Sequence, residues 1–273
     1  MPFIETDDET TLFYNDWGVG KPVVLIHGWP LNADMWEYQA TFLAEQGFRV
    51  IAYDRRGFGR SDQPWNGYDY DTLADDLAAI LEELALDDVT LVGFSMGGGE
   101  VARYLARHGA ARVSKAALIS AVTPLLVKRP DHEDGVDIGV FDKMIAGLRE
   151  DRPSFLAGFG KQFFGAGLLN LSISSEVLAW AQGMAMQGSP KATLDCVRAF
   201  SETDFRADMA AFTMPTLIVH GDADATVPID VAGRAAARLI PTAVLKEYEG
   251  AAHGLFFTEK DRLNADLLAF IGE

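Results

Sequence analysis

Two patterns of apolar positions alternate along this chain. Residues 23–27 (VVLIH), 48–54 (FRVIAYD) and 89–94 (VTLVGF) are short runs that are nearly all apolar, each ending in a charged or glycine-rich turn. Continuous apolarity without a polar face predicts strands covered on both sides. Between these runs, at about 34–45 and 72–84, apolar residues recur at helical spacing. In the second segment Leu73, Leu77, Ile80, Leu81 and Leu84 make one stripe, expected to pack on the sheet. Later strands are predicted at 115–120, 216–220 and 243–248, and a last helix after Thr258 should turn Leu263, Leu267, Leu268 and Phe270 inward. Residues 3–6 and 11–16 flank the polar Asp7-Asp8-Glu9 stretch and predict an opening hairpin. Strands alternating with helices imply right-handed crossovers, hence an α/β fold built on a mostly parallel, doubly wound sheet.

The alternation stops between residues 123 and 213. Helical patterns rich in aromatics fill this stretch, among them FLAGFGKQFFGAG at 155–167, with no convincing strand. It is expected to be a helical cap inserted into an α/β core made of residues 1–122 and 214–273. A chain of 273 residues fits one such domain with an insertion.

Charge narrows the partners. With 23 Lys and Arg against 40 Asp and Glu, the net charge of −17 repels phosphate backbones and anionic bilayers, so neither nucleic acid nor membrane is expected. The opening MPFIETDDET lacks a basic n-region and an apolar h-region, and no run reaches the ~20 apolar residues of a membrane span, which predicts a cytoplasmic protein. The single cysteine, Cys196, forms no intrachain disulfide and reads as a small core residue.

One junction carries chemistry. Gly93-Phe94-Ser95-Met96-Gly97 fits G-x-S-x-G, with a predicted buried strand before it and a predicted helix after it. In that context the turn is sharp enough to strain the serine backbone, and the glycines two positions to either side let strand and helix pass closely. A serine there projects alone at a helix N-terminus, where unpaired N–H groups favour an anion. The plain alternative is a helix-capping serine in a glycine-rich turn.

A serine nucleophile needs a base, and the base an orienting acid. His253, in GAAHGLF, follows the last predicted strand. Asp224, in HGDADATVP, follows the strand before it, with Asp222 as its competitor. Both lie at the carboxyl ends of strands, where open α/β sheets place their sites, and the order Ser95, Asp224, His253 is the one that this elbow uses. His27 and His220 read as structural, and His108 and His132 as surface residues. No H-E-x-x-H or other close metal-ligand pattern occurs, GVGKP at 18–22 is not a P-loop, and no G-x-G-x-x-G opens a helix, so neither metal nor cofactor is expected.

The longer strings HGWPLNADMWEYQ from His27, YDRRGFGRSDQP from Tyr53, GFSMGGGEVARY from Gly93 and HGDADATVP resemble the α/β-hydrolase superfamily, and within it the bacterial aryl esterases and cofactor-free haloperoxidases, or perhydrolases. The resemblance implies a catalytic set of Ser95, Asp224 and His253, and an oxyanion hole formed by the backbone N–H groups of Trp29 and Met96. It also implies a pocket involving Trp29, Pro30, Phe159, Phe163 and Val227, and a homo-oligomer. Aromatics at helical spacing are explained as well by core packing.

The implied activity is cleavage of small carboxylic or aryl esters through an acyl-enzyme, with hydrogen peroxide as an alternative to water, giving peracid and through it halide oxidation. Pro30 lacks an N–H and stiffens its loop; the resemblance ties it to the second activity, since perhydrolases of this family are similar in carrying proline beside the carbonyl that Trp29 presents here, and plain stiffening of the loop explains it as well. Lactam or amide cleavage on the same triad stays open. So does a hydrolase-like receptor that binds a ligand without turnover.

Overall fold

The opening hairpin forms as its polar turn requires: β1 (Phe3–Glu5) pairs antiparallel with β2 (Thr11–Trp17), which pairs antiparallel with β4 (Arg49–Tyr53). The remaining strands, β3 (Pro22–Ile26), β5 (Val89–Phe94), β6 (Val113–Ile119), β7 (Thr216–Gly221) and β8 (Ala243–Tyr248), run parallel with β4. Their order is β1-β2-β4-β3-β5-β6-β7-β8. The computed structural model describes residues 2–166 and 173–272. The end of the aromatic stretch at Gly167, and residues 168–172 of the expected cap, lie outside the described residues.

The apolar runs lack alternation because the sheet has a core on each face. Val24, Ile26, Ile51, Tyr53 and Leu91 face one cluster, and Val23, Leu25, Val50, Ala52, Val92 and Phe94 face the other. The first face is covered by α2 (Tyr70–Glu83) and α3 (Met96–His108), the second by α1 (Glu37–Glu45) and α9 (Lys260–Gly272). Helix α1 is entered through a 3-10 turn at Ala33–Trp36. Helix α2 starts where the Asp69 carboxylate accepts the Thr72 N–H. Leu73, Leu77, Ile80 and Leu81 are fully buried, whereas Leu84, the residue that caps the helix, is half-buried. In α9 the buried stripe is Leu263, Leu267 and Ile271. Leu268 and Phe270, expected inside, are only half-buried because they fall off that i, i+4, i+8 line.

Between β6 and β7 lie α4 (Ile138–Phe163), α5 (Ser175–Gln187) and α6 (Pro190–Glu202). Helix α4 is broken at Asp151 (φ −150°, ψ 84°), whose carboxylate caps the second half by accepting the Ser154 N–H at 3.0 Å. Next to the break, Arg152 donates to the carbonyls of Ala185 and Gly188, closing the end of α5. Cys196 on α6 is fully buried, and burial pushes its thiol up to about 12, which leaves no thiolate for chemistry. Short helices α7 (Gly233–Leu239) and α8 (Leu255–Thr258) flank β8. Among the described residues no helix is long and apolar enough to cross a membrane.

Candidate active site

The chain runs from β3 to β4 on one side of the sheet and resumes at β5 on the other, so the loops after β3 and β5 separate in opposite directions and leave a crevice at the strand ends. Ser95 stands there, between β5 and α3, with φ 52° and ψ −116°, a conformation that costs a side-chain-bearing residue about 1–3 kcal/mol. The flanking glycines are required by contact. A Cβ on Gly93 would lie 2.5 Å from the Gly97 carbonyl oxygen, and one on Gly97 would lie 2.5 Å from that of Ile26. The strain persists because β6 fixes the turn from outside: the Ser95 N–H donates to the Ile119 carbonyl and the Val122 N–H to that of Ser95.

Two loops at the same edge of the sheet meet the serine. The Ser95 hydroxyl lies 2.9 Å from His253 Nε2, and His253 Nδ1 lies 2.6 Å from Asp224 Oδ2. All three are buried. With Nδ1–H donating to the carboxylate, Nε2 is left to accept from the hydroxyl. Asp224 Oδ1 accepts the N–H groups of Thr226 at 2.9 Å and Val227 at 2.8 Å, which orients the carboxylate. Burial alone would raise the Asp224 pKa. The His253 imidazole beside it, helped by His220, outweighs that and holds the carboxyl well below its ordinary range. Asp222, the competitor, is exposed and accepts the Gly250 N–H, closing the turn after β8.

Met96 is the first residue of α3, where the helix offers its N–H no acceptor. Trp29 follows β3 across Gly28, whose Cβ, if present, would sit 3.0 Å from Ser95 Cβ. The two segments therefore lie side by side at the nucleophile. Its peptide bond to Pro30 is cis.

A cavity of about 770 Å³ opens over Ser95 and His253. Trp29, Phe159 and Val227 line it, together with Phe141, Phe155 and Phe200. The Trp29 indole is held by its N–H on the Thr193 carbonyl and by contact with Phe159 and Phe200. Pro30 and Phe163 do not line this cavity. Both face a small void behind it, and the Phe163 ring stands edge-on to the His253 ring, centroids 4.8 Å apart. Its carbonyl also accepts the Gly254 N–H at 2.7 Å, so Phe163 buttresses the histidine loop. The described lining includes Glu150 and Asp151 and no Lys or Arg.

A family model for the alpha/beta hydrolase fold matches residues 21–260. The chain belongs to the α/β-hydrolase family. This α/β-hydrolase is 46% identical to a non-heme chloroperoxidase, CPO-A1, of Kitasatospora aureofaciens, over 100% of both chains. It is 43% identical to a bifunctional esterase/perhydrolase of Acinetobacter calcoaceticus, over 99% of each. Among solved structures it resembles a bromoperoxidase from Bacillus anthracis, with a TM-score of 0.94, 48% identity, and coverage of 97% of this chain and 96% of that one.

Sequence reasoning missed part of the hydrolase's site. It paired Phe159 with Phe163, yet the pair turned to the cavity is Phe155 and Phe159, whose rings stack 6.2 Å apart at 12°. Both pairs have the same spacing, and only the three-dimensional phase of the helix after the Asp151 break separates them. It also passed over Glu100, although a carboxylate inside GGGEVARY, next to a serine turn, was a visible signal. His27 has the structural place that its position before the loop suggests: its ring is fully buried with Nε2 accepting the Arg55 N–H. Burial and the Arg55 charge hold that ring well below the ordinary imidazole range, leaving it neutral.

Proposed function

We propose that this protein is a serine esterase that also carries out perhydrolysis, with Ser95 as nucleophile, His253 as general base and acid, and Asp224 as orienting carboxylate. The observation that carries this reading is the unbroken relay from the Ser95 hydroxyl through His253 to Asp224, at the floor of an apolar cavity. The names of the relatives supply the acyl chemistry and the peroxide. Residues 123–213 act as the cap over the cavity. The charge of −17 argues against nucleic acid and membrane as partners, and a homo-oligomer rests on the family resemblance alone.

Ser95 Oγ attacks the acyl carbonyl while His253 Nε2 takes its proton. The N–H groups of Met96 and Trp29 receive the developing oxyanion. As the tetrahedral intermediate collapses, the alcohol leaves with the proton from His253, and an ester of Ser95 remains. Water then adds, gives one proton to His253, and releases the acid as that proton returns to Ser95. Hydrogen peroxide adds in the same way and releases a peracid, which oxidises halide in solution. A carboxylic acid enters the cycle by acylating Ser95 Oγ, its hydroxyl leaving as water with the proton that His253 took from the serine.

One preparation tests the reading. Multiple turnovers on p-nitrophenyl acetate, and peracetic acid from acetate plus peroxide, are expected. Release of a single equivalent of phenolate, with no peracid, would point instead to a ligand-binding receptor. In Pro30→Leu the ratio of perhydrolysis to ester hydrolysis is expected to fall roughly tenfold, since a freer loop misplaces the Trp29 carbonyl against the peroxide. An unchanged ratio removes Pro30 from the account.

The acid limb of kcat/KM should fit loss of one proton. Asp224, its pKa depressed in the fold, stays ionised until far below the working range, and its contribution to stability, complete above the ordinary carboxylate value, declines as pH falls below that value and is gone beneath the depressed one. A two-proton limb would mean that Asp224 titrates in the working range as well.

A further inference from the structure

Arg55 and Glu100 are fully buried and form an ion pair beneath the serine turn. Neither lines the cavity, and the acyl-transfer steps use neither. A buried pair of this kind is weak evidence for stability, because desolvation offsets its attraction. Its contacts are more informative. Arg55 Nη2 donates to the His27 carbonyl at 2.6 Å, and the Arg55 backbone N–H donates to His27 Nε2 at 2.9 Å. Glu100 accepts from the Tyr53 hydroxyl at 2.6 Å, and the nearby Tyr70 hydroxyl donates to the Met96 carbonyl at 3.0 Å.

These contacts join two particular segments. His27 precedes Gly28 and Trp29, and Glu100 lies about one turn beyond Met96 on α3. The carbonyl that Arg55 grips is also one against which α3 packs, since a Cβ on Gly97 would stand 2.9 Å from it. We propose that Arg55 and Glu100 are positioning residues for the oxyanion site: they tie the loop bearing the Trp29 N–H to the helix bearing the Met96 N–H and so set the separation of the two donors. This rests on the acyl-transfer reading above. Donors moved apart lose contact with the charge that develops in the transition state, while the neutral ester binds as before.

The test is the double variant Arg55→Met/Glu100→Leu, because apolar replacement of a buried pair is often neutral for stability. For variant that melts close to wild type, kcat on p-nitrophenyl acetate is expected to fall by about tenfold or more, short of the roughly 10²–10³ that losing a donor costs. KM should be unchanged, and the Ki of an aryl trifluoromethyl ketone, which forms an oxyanion on Ser95, should rise by the same factor as kcat falls. A kcat within twofold of wild type, or a loss confined to KM, overturns the proposal. If the double variant does not fold, Tyr53→Phe, which removes the hydroxyl that holds Glu100 in place, decides: a kcat reduced by about threefold with Ki in step supports the proposal, and an unchanged kcat overturns it. Ser95→Ala, run alongside, separates the two levels. Turnover surviving in that variant sinks the acyl reading itself, whereas an inactive serine variant beside a fully active double variant sinks only the positioning role.

Discussion

Ser95→Ala is expected to lower kcat on p-nitrophenyl acetate by at least about 10⁴-fold, with peracid formation falling by the same factor. Removing a triad nucleophile leaves only what binding and the oxyanion donors achieve with water. The deletion is also mild structurally. The Ser95 backbone is held by the Ile119 carbonyl and the Val122 N–H, and its side chain meets His253 alone in the hydrogen-bonded relay. The variant should therefore melt like wild type or slightly above it. Steady-state kinetics with a thermal melt check both halves. Activity within tenfold of wild type in pure variant would place the nucleophile elsewhere.

Asp224→Asn is expected to cost about 10⁴-fold in kcat, and the geometry gives the reason. Oδ1 accepts two backbone N–H groups, from Thr226 and Val227. In the asparagine variant the carbonyl oxygen must occupy that position, since an NH₂ there would oppose two donors. The amide nitrogen then faces His253 Nδ1, which has to accept. The ring carries its hydrogen on Nε2 and cannot take the proton of Ser95. Asp222→Asn is the control, because its side chain serves one turn N–H that an amide oxygen serves equally well, and its kcat should stay near wild type. Equal losses in the two variants would contradict the assignment.

Much of this was legible along the chain, and the particular residues show why. Strands such as 89–94 declare themselves because both faces of the sheet are covered, so nearly every position is apolar, Thr90 being the exception. The serine turn was readable because its glycines answer a steric demand, Gly93 against Gly97 and Gly97 against Ile26, which leaves little choice of residue. The cavity was only partly readable. Phe159 points into it and Phe163 away from it, although both are aromatic and one helical turn apart, because the sequence marks the period of a helix and not its rotation about its axis. Arg55 and Glu100 escaped for another reason. Charged residues read as solvated unless their partner is known, and these two are 45 positions apart.

In the proposed reading one serine carries both activities. A fluorophosphonate probe, added in substoichiometric steps, tests it most directly, with the labelled peptide identified by mass spectrometry and both rates measured at each step. The expected result is a single label on Ser95, with ester hydrolysis and peracid formation declining together in proportion to labelling and reaching zero at one equivalent. Peracid formation that persists in fully labelled protein, or a label that falls on another residue, would contradict it.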